Sequence, residues 1–135
     1  MTEENKIANI KSELERAGEF LAASELLAKN RLLNDAVSRL YYYLLSYIRA
    51  LLLTEGIEAK SHEGALRLVG LHFIKTEILG PPVSHILSKL MKYREEADYN
   101  PAFIFREEDY LQLRNEAKVV VHEIEDYFRK KSYQF

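Results

Sequence analysis

One stretch of this chain is apolar on nearly every side, and it limits what the rest can become. From Val37 the residues Leu40, Tyr41, Leu44, Leu45, Ile48, Leu51 and Leu52 repeat at the three-and-four spacing of a helical face. Ala36, Tyr43, Tyr47, Ala50 and Leu53 carry the apolar surface around the remaining circumference. The spacing predicts a helix over 36–55 that must be covered on more than one side. A second copy of the chain is one way to supply that cover, and homodimerisation is the expectation it raises.

The flanking segments read as helices too. Over 6–29 a single stripe (Ile7, Ile10, Leu14, Ala17, Leu21, Ala28), widened by Phe20 and Leu27, faces inward, and Lys11, Glu13, Glu15, Arg16, Glu19 and Glu25 occupy the other side. The short connection at 30–35 predicts antiparallel packing of these two helices, with Asn34 or Asp35 capping the second. Gly56 ends that helix, and Ser61 is the expected N-cap of a third, running to about residue 75. Gly80-Pro81-Pro82 breaks the chain before a fourth helix over 83–97, which Asn100-Pro101 stops. The fifth, over 107–131, is acidic in its first turn and basic in its last, matching the helix dipole. With no strand pattern, repeat or low-complexity linker, the expected fold class is all-α: an up-and-down bundle of about five helices forming one domain over residues 1–135.

Composition removes several functions. The 135 residues include no cysteine, which excludes disulfides, thiol nucleophiles and cysteine-ligated metals. A net charge of -2 gives no global attraction to nucleic acid but leaves room for a local basic groove. The longest charge-free runs are too short to span a bilayer, and the charged first residues are unlike a signal peptide, so a cytoplasmic protein without membrane association is expected. His62, His72, His85 and His122 show no metal-binding spacing, and there is no phosphate loop or nucleophile elbow. Neither a metal nor a cofactor is therefore expected.

Three places stand out for chemistry. Successive helical residues point about 100° apart, so Tyr41-Tyr42-Tyr43 cannot enter one seam; Tyr42 falls instead on a stripe with Asp35, Arg39, Ser46 and Arg49. That stripe reads either as a half-exposed face or as the border of a second interface or polar pocket. Arg94 shares the inward face of the fourth helix with Leu90 and Ala97, where a guanidinium needs a partner or a ligand, and Asp98 is one turn away. His62 belongs to the first turn of the third helix, beside free backbone amides.

Taken in order, Ala36-Val37-Ser38-Arg39-Leu40-Tyr41-Tyr42-Tyr43, Ser61-His62-Glu63-Gly64, His72-Phe73-Ile74-Lys75 and Arg94-Glu95-Glu96-Ala97-Asp98-Tyr99 resemble the HEPN domain, in particular its small single-domain archaeal and bacterial members. The resemblance runs from about Ile7 to Phe128. It implies a helical bundle that commonly dimerises, is often encoded beside a minimal nucleotidyltransferase, and in many members is a metal-independent RNase or the toxin of a toxin–antitoxin pair. HEPN ribonucleases place four to six residues between their arginine and a following histidine. Here Tyr99 holds the nearest such place after Arg94, and Arg114 and His122 are separated by seven residues. A phenol titrates near about pH 10 and is a poor base at neutrality, whereas imidazole is close to its optimum.

The expectation is therefore a non-catalytic HEPN module that binds a nucleotide or RNA, or a partner protein, through Arg94, Asp98, Tyr99, Tyr42, His62 and Arg39. It would work as a dimer with a nucleotidyltransferase partner. The alternative is a metal-independent ribonuclease toxin in which His62 or Tyr99 replaces the usual histidine. A third reading makes Arg94–Asp98 an internal ion pair in a purely structural bundle.

Overall fold

The computed structural model describes residues 2–133 and 135. Five α-helices follow one another: α1 (Glu3–Lys29), α2 (Leu33–Thr54), α3 (His62–Val69), α4 (Pro82–Tyr99) and α5 (Glu107–Lys130). There is no strand among the described residues. The third predicted helix is shorter than its pattern, because α3 passes at Gly70–Ile74 into a π-helical turn closed by Lys75 N–H donating to the Gly70 carbonyl at 2.8 Å. That wider turn keeps Phe73 fully buried against Tyr127.

Helix ends follow local chemistry. The Thr2 hydroxyl accepts from Asn5 N–H at 3.1 Å, and Ser61 Oγ accepts from Gly64 N–H at 2.9 Å. A Cβ at Gly64 would lie 2.8 Å from Ser61 Oγ, so a larger residue there would make the capping hydroxyl shift. The start of α2 departs from expectation: its N-cap is Leu32, with no side-chain cap. Asn34 is spent elsewhere, its amide donating to the Phe103 carbonyl at 2.6 Å and its oxygen accepting from Phe105 N–H at 3.1 Å. A residue that looked like a local cap thus ties α2 to the segment entering α5.

α2 is the central helix, packed against α1, α3, α4 and α5. Fourteen of its residues are buried. This corrects the premise from which homodimerisation was read: the apolar circumference of α2 is covered by the chain's own helices, so it leaves no surplus face requiring a second copy. α1 buries only a narrow stripe, Ile10, Ala17 and Ser24. Ser24 Oγ donates to the Ala36 carbonyl at 2.7 Å and lies 2.9 Å from Tyr110 Oη, which joins α1, α2 and α5 at one buried polar point. No helix is long and apolar enough to cross a membrane among the described residues.

Candidate functional site

Because α1 and α2 lie side by side, the stripe Asp35, Ser38, Arg39, Tyr42, Arg49 faces α1 residues Arg16 and Phe20 across a groove of about 340 Å³, with Asp98 of α4 at its edge. The ring of Phe20 stacks on that of Tyr42 (centroids 5.4 Å apart, planes at 30°), and the Arg16 guanidinium lies 5.7 Å from the Phe20 centroid. Three arginines against two aspartates leave the groove with an excess of positive charge. Arg39 and Arg49 form no ion pair among the described residues, and Arg16 has only Glu13 at 3.9 Å. Unpaired guanidinium groups beside half-buried aromatic rings suit a phosphate carrying a flat base.

Arg94 is placed behind this wall. Its side chain is 12% exposed, as its inward helical position required, and it pairs with Asp98 at 3.4 Å. Its Nη1 donates to Tyr42 Oη over a long 3.5 Å, and its guanidinium sits over Tyr41 and Tyr42 at 5.5 and 6.0 Å. Its Nε is buried without a partner. Burial works against the charge, but Tyr42 and then Asp98 outweigh it and hold the Arg94 pKa above its usual range. Arg94 therefore supports two groove residues, Tyr42 and Asp98, and is not itself part of the lining.

His62 joins the same cluster from α3, edge-on to Tyr41 at 5.4 Å and to Tyr42 at 6.0 Å. Burial, then the positive charges of Arg94 and Arg49, lower its pKa below the ordinary histidine value, so the imidazole is neutral at pH 7. Tyr41 is fully buried; burial pushes its phenol up to about 12 although Arg94 pulls the other way, and its hydroxyl has no hydrogen-bond partner.

Of the residues singled out in the sequence, Arg39, Tyr42 and Asp98 line the groove, while Arg94 and His62 buttress it. Tyr99 does not line the groove: it is 75% exposed at the end of α4, where its hydroxyl helps to raise the Arg94 pKa from outside. Sequence reasoning missed Arg16 and Phe20, which it had assigned to the outer face and to the broad edge of the core stripe of α1. Their i,i+4 spacing was the available signal, since it puts an arginine and an aromatic ring one above the other on a helix. Ser46, placed on the Tyr42 stripe, is buried and does not reach the groove. No cluster of three or more histidine, aspartate or glutamate side chains is placed to hold a metal among the described residues.

Comparison with known proteins adds an independent line. The family model described as "HEPN domain" matches residues 10–127, which contain every groove residue. "Putative toxin MJ0142" of Methanocaldococcus jannaschii is 31% identical over 119 residues, covering 88% of this chain and 81% of that protein. "Putative toxin MJ0605" of the same organism is 36% identical over 90 residues, 67% of each chain. A "UPF0332 protein" of Thermotoga maritima is 34% identical over 94 residues, covering 70% of this chain and 71% of that one.

Proposed function

The chain belongs to the HEPN domain family, and from that membership we propose that it is the binding half of a toxin–antitoxin-like pair. It grips a nucleotide or RNA in the α1–α2 groove without cleaving it, as a homodimer working with a minimal nucleotidyltransferase partner. The observation that carries this reading is the groove: Arg16, Arg39 and Arg49 gathered around the Phe20–Tyr42 stack, one positive charge in excess of its two aspartates. Phosphates are held by the guanidinium groups and a base against the edges of the half-buried rings. The toxin names of two relatives support the pairing, and the missing histidine after Arg94 supports binding over cleavage.

Calorimetric titration with a short single-stranded oligouridine is the test. Wild-type protein binds, and the Arg39→Ala/Arg49→Ala variant binds at least about tenfold more weakly with a shallower salt dependence, because each lost phosphate contact releases fewer counterions. Absence of binding by the wild type, or equal binding by the variant, removes the reading. Light scattering alone and with the neighbouring reading frame's product tests the dimer and the partner.

One observation favours a second reading, a metal-independent ribonuclease. His62 is neutral at pH 7 and packed on the same tyrosine pair as Arg94, so an imidazole base is available from α3 although none follows Arg94 in sequence. Cleavage of total RNA in the presence of a chelator, lost in His62→Ala, would establish it; intact RNA would eliminate it.

A further inference from the structure

Next to the arginine groove, and outside the proposed binding surface, lies a second cleft of about 370 Å³ between α1 and the end of α2. Asn9, Ser12 and Glu13 line it from α1, and Leu53, Ile57 and Ala59, with the Glu58 carboxylate among them, line it from the end of α2 and the loop that follows. Arg49 lines both this cleft and the groove, so the two are continuous through one guanidinium. Arg16, on the groove side, also reaches across to Glu13 at 3.9 Å.

Glu13 is the unusual member. Its side chain is 18% exposed, Arg16 lies near only its Oε1, and its Oε2 is shielded from water with no hydrogen-bond partner. A carboxylate is an acceptor only, and a sheltered oxygen without a donor is unfavourable until a turn of the side chain brings it to one or a ligand supplies one. The pocket therefore calls for a flat group with an apolar face and adjacent N–H donors on one edge. Among the common bases guanine alone presents two neighbouring donors, N1–H and the N2 amine. Adenine and cytosine set an acceptor beside their amine, which a carboxylate repels.

We propose that this cleft is a guanine subsite, with Glu13 taking the N1–H and N2–H edge and the attached phosphates lying toward Arg49, Arg16 and Arg39. The base rests against Leu53 and Ile57, and Arg49 spans base and phosphate sites as the hinge of a single ligand. This rests on the phosphate-binding reading of the groove and adds to it the identity of the base.

Calorimetry with GDP, ADP and an oligouridine on the full chain separates the two. GDP binds at least about tenfold tighter than ADP, equal to about 1.4 kcal/mol, and Glu13→Gln brings GDP down to the ADP level while leaving oligouridine unchanged. Ser12→Tyr, at the exposed rim, blocks GDP and also spares oligouridine, which guards against a folding defect in the first variant. Equal affinity for GDP and ADP, or a preference that survives Glu13→Gln, overturns the guanine subsite even if oligouridine still binds. Failure of every probe, oligouridine included, overturns the groove reading and the subsite together.

Discussion

The two aromatic faces of α2 carry the same residue type in opposite electrical surroundings. Toward α5, Tyr43 and Tyr47 meet edge to face at 5.7 Å, and Tyr47 Oη donates to Glu125 at 3.0 Å. Toward α4 and α1, Tyr41 and Tyr42 meet the Arg94 guanidinium and the His62 ring. Burial pushes the Tyr43 phenol up to about 12, with Glu125 adding to the effect; it raises Tyr47 further still, again with Glu125 reinforcing. On the other face Arg94 pulls against burial at Tyr41. On the acid-facing side Tyr47 has a carboxylate to donate to, whereas the cation-facing pair leaves a phenol, a guanidinium nitrogen and two neighbouring arginines without fixed partners. A rotation of about 100° per residue is enough to give one helix a stabilising side and a receptive side.

Three changes break or sharpen this contrast. The largest effect is expected from Leu44→Ala, fully buried on the α2 core stripe close to both faces. It should cost about 2–5 kcal/mol in chemical denaturation and weaken both faces together; a loss under about 1 kcal/mol would mean that α2 is not the central support.

Next comes a matched pair of hydroxyl deletions. Tyr47→Phe removes a well-formed donor and leaves Glu125 unpaired, so it should cost about 1 kcal/mol of stability without touching ligand affinity. Tyr42→Phe removes only a long 3.5 Å contact, so stability should move by less than about 0.5 kcal/mol. Equal stability losses would erase the distinction between the two faces.

The smallest effect is a pH dependence. His62 binds its proton less readily in the folded chain than in the unfolded one, so the unfolded state takes up more protons as the solution is acidified. Its contribution is present above the ordinary histidine pKa of about 6.5 and is lost as pH falls through the lower folded value. Thermal melts from pH 7.5 to 5 should show wild type losing more stability than His62→Gln. Parallel curves would place His62 in open solvent.

The elements were largely legible because their signals are local. The three-and-four stripes, the Ser61 cap, the Gly80-Pro81-Pro82 break and the Asn100-Pro101 stop act within a turn or two, and each helix but the third lies close to its expected range. Arg94 was correctly turned inward by its spacing from Leu90. What escaped were roles that depend on a distant partner and that no family resemblance pointed to. Asn34 reads as a cap until Phe103 and Phe105 come within reach. Arg16 and Phe20 read as surface and stripe-edge residues until α2 lies alongside. The π-turn after Val69 has no counterpart in the hydrophobic spacing, and its inserted residue serves the Phe73–Tyr127 contact.

By itself the order of amino acids determined five helices, an over-apolar second helix, and an arginine aimed at the interior, since backbone hydrogen bonding and side-chain periodicity are set within a few residues. Only the tertiary arrangement decided that the over-apolar helix is covered by its own chain and that Arg16, Arg39 and Arg49 share one groove. It also left Tyr99 outside. The reason is the register between helices: it is fixed by how whole side-chain surfaces interlock, and a shift of one turn, about 5.4 Å, would keep every local pattern while dispersing the groove.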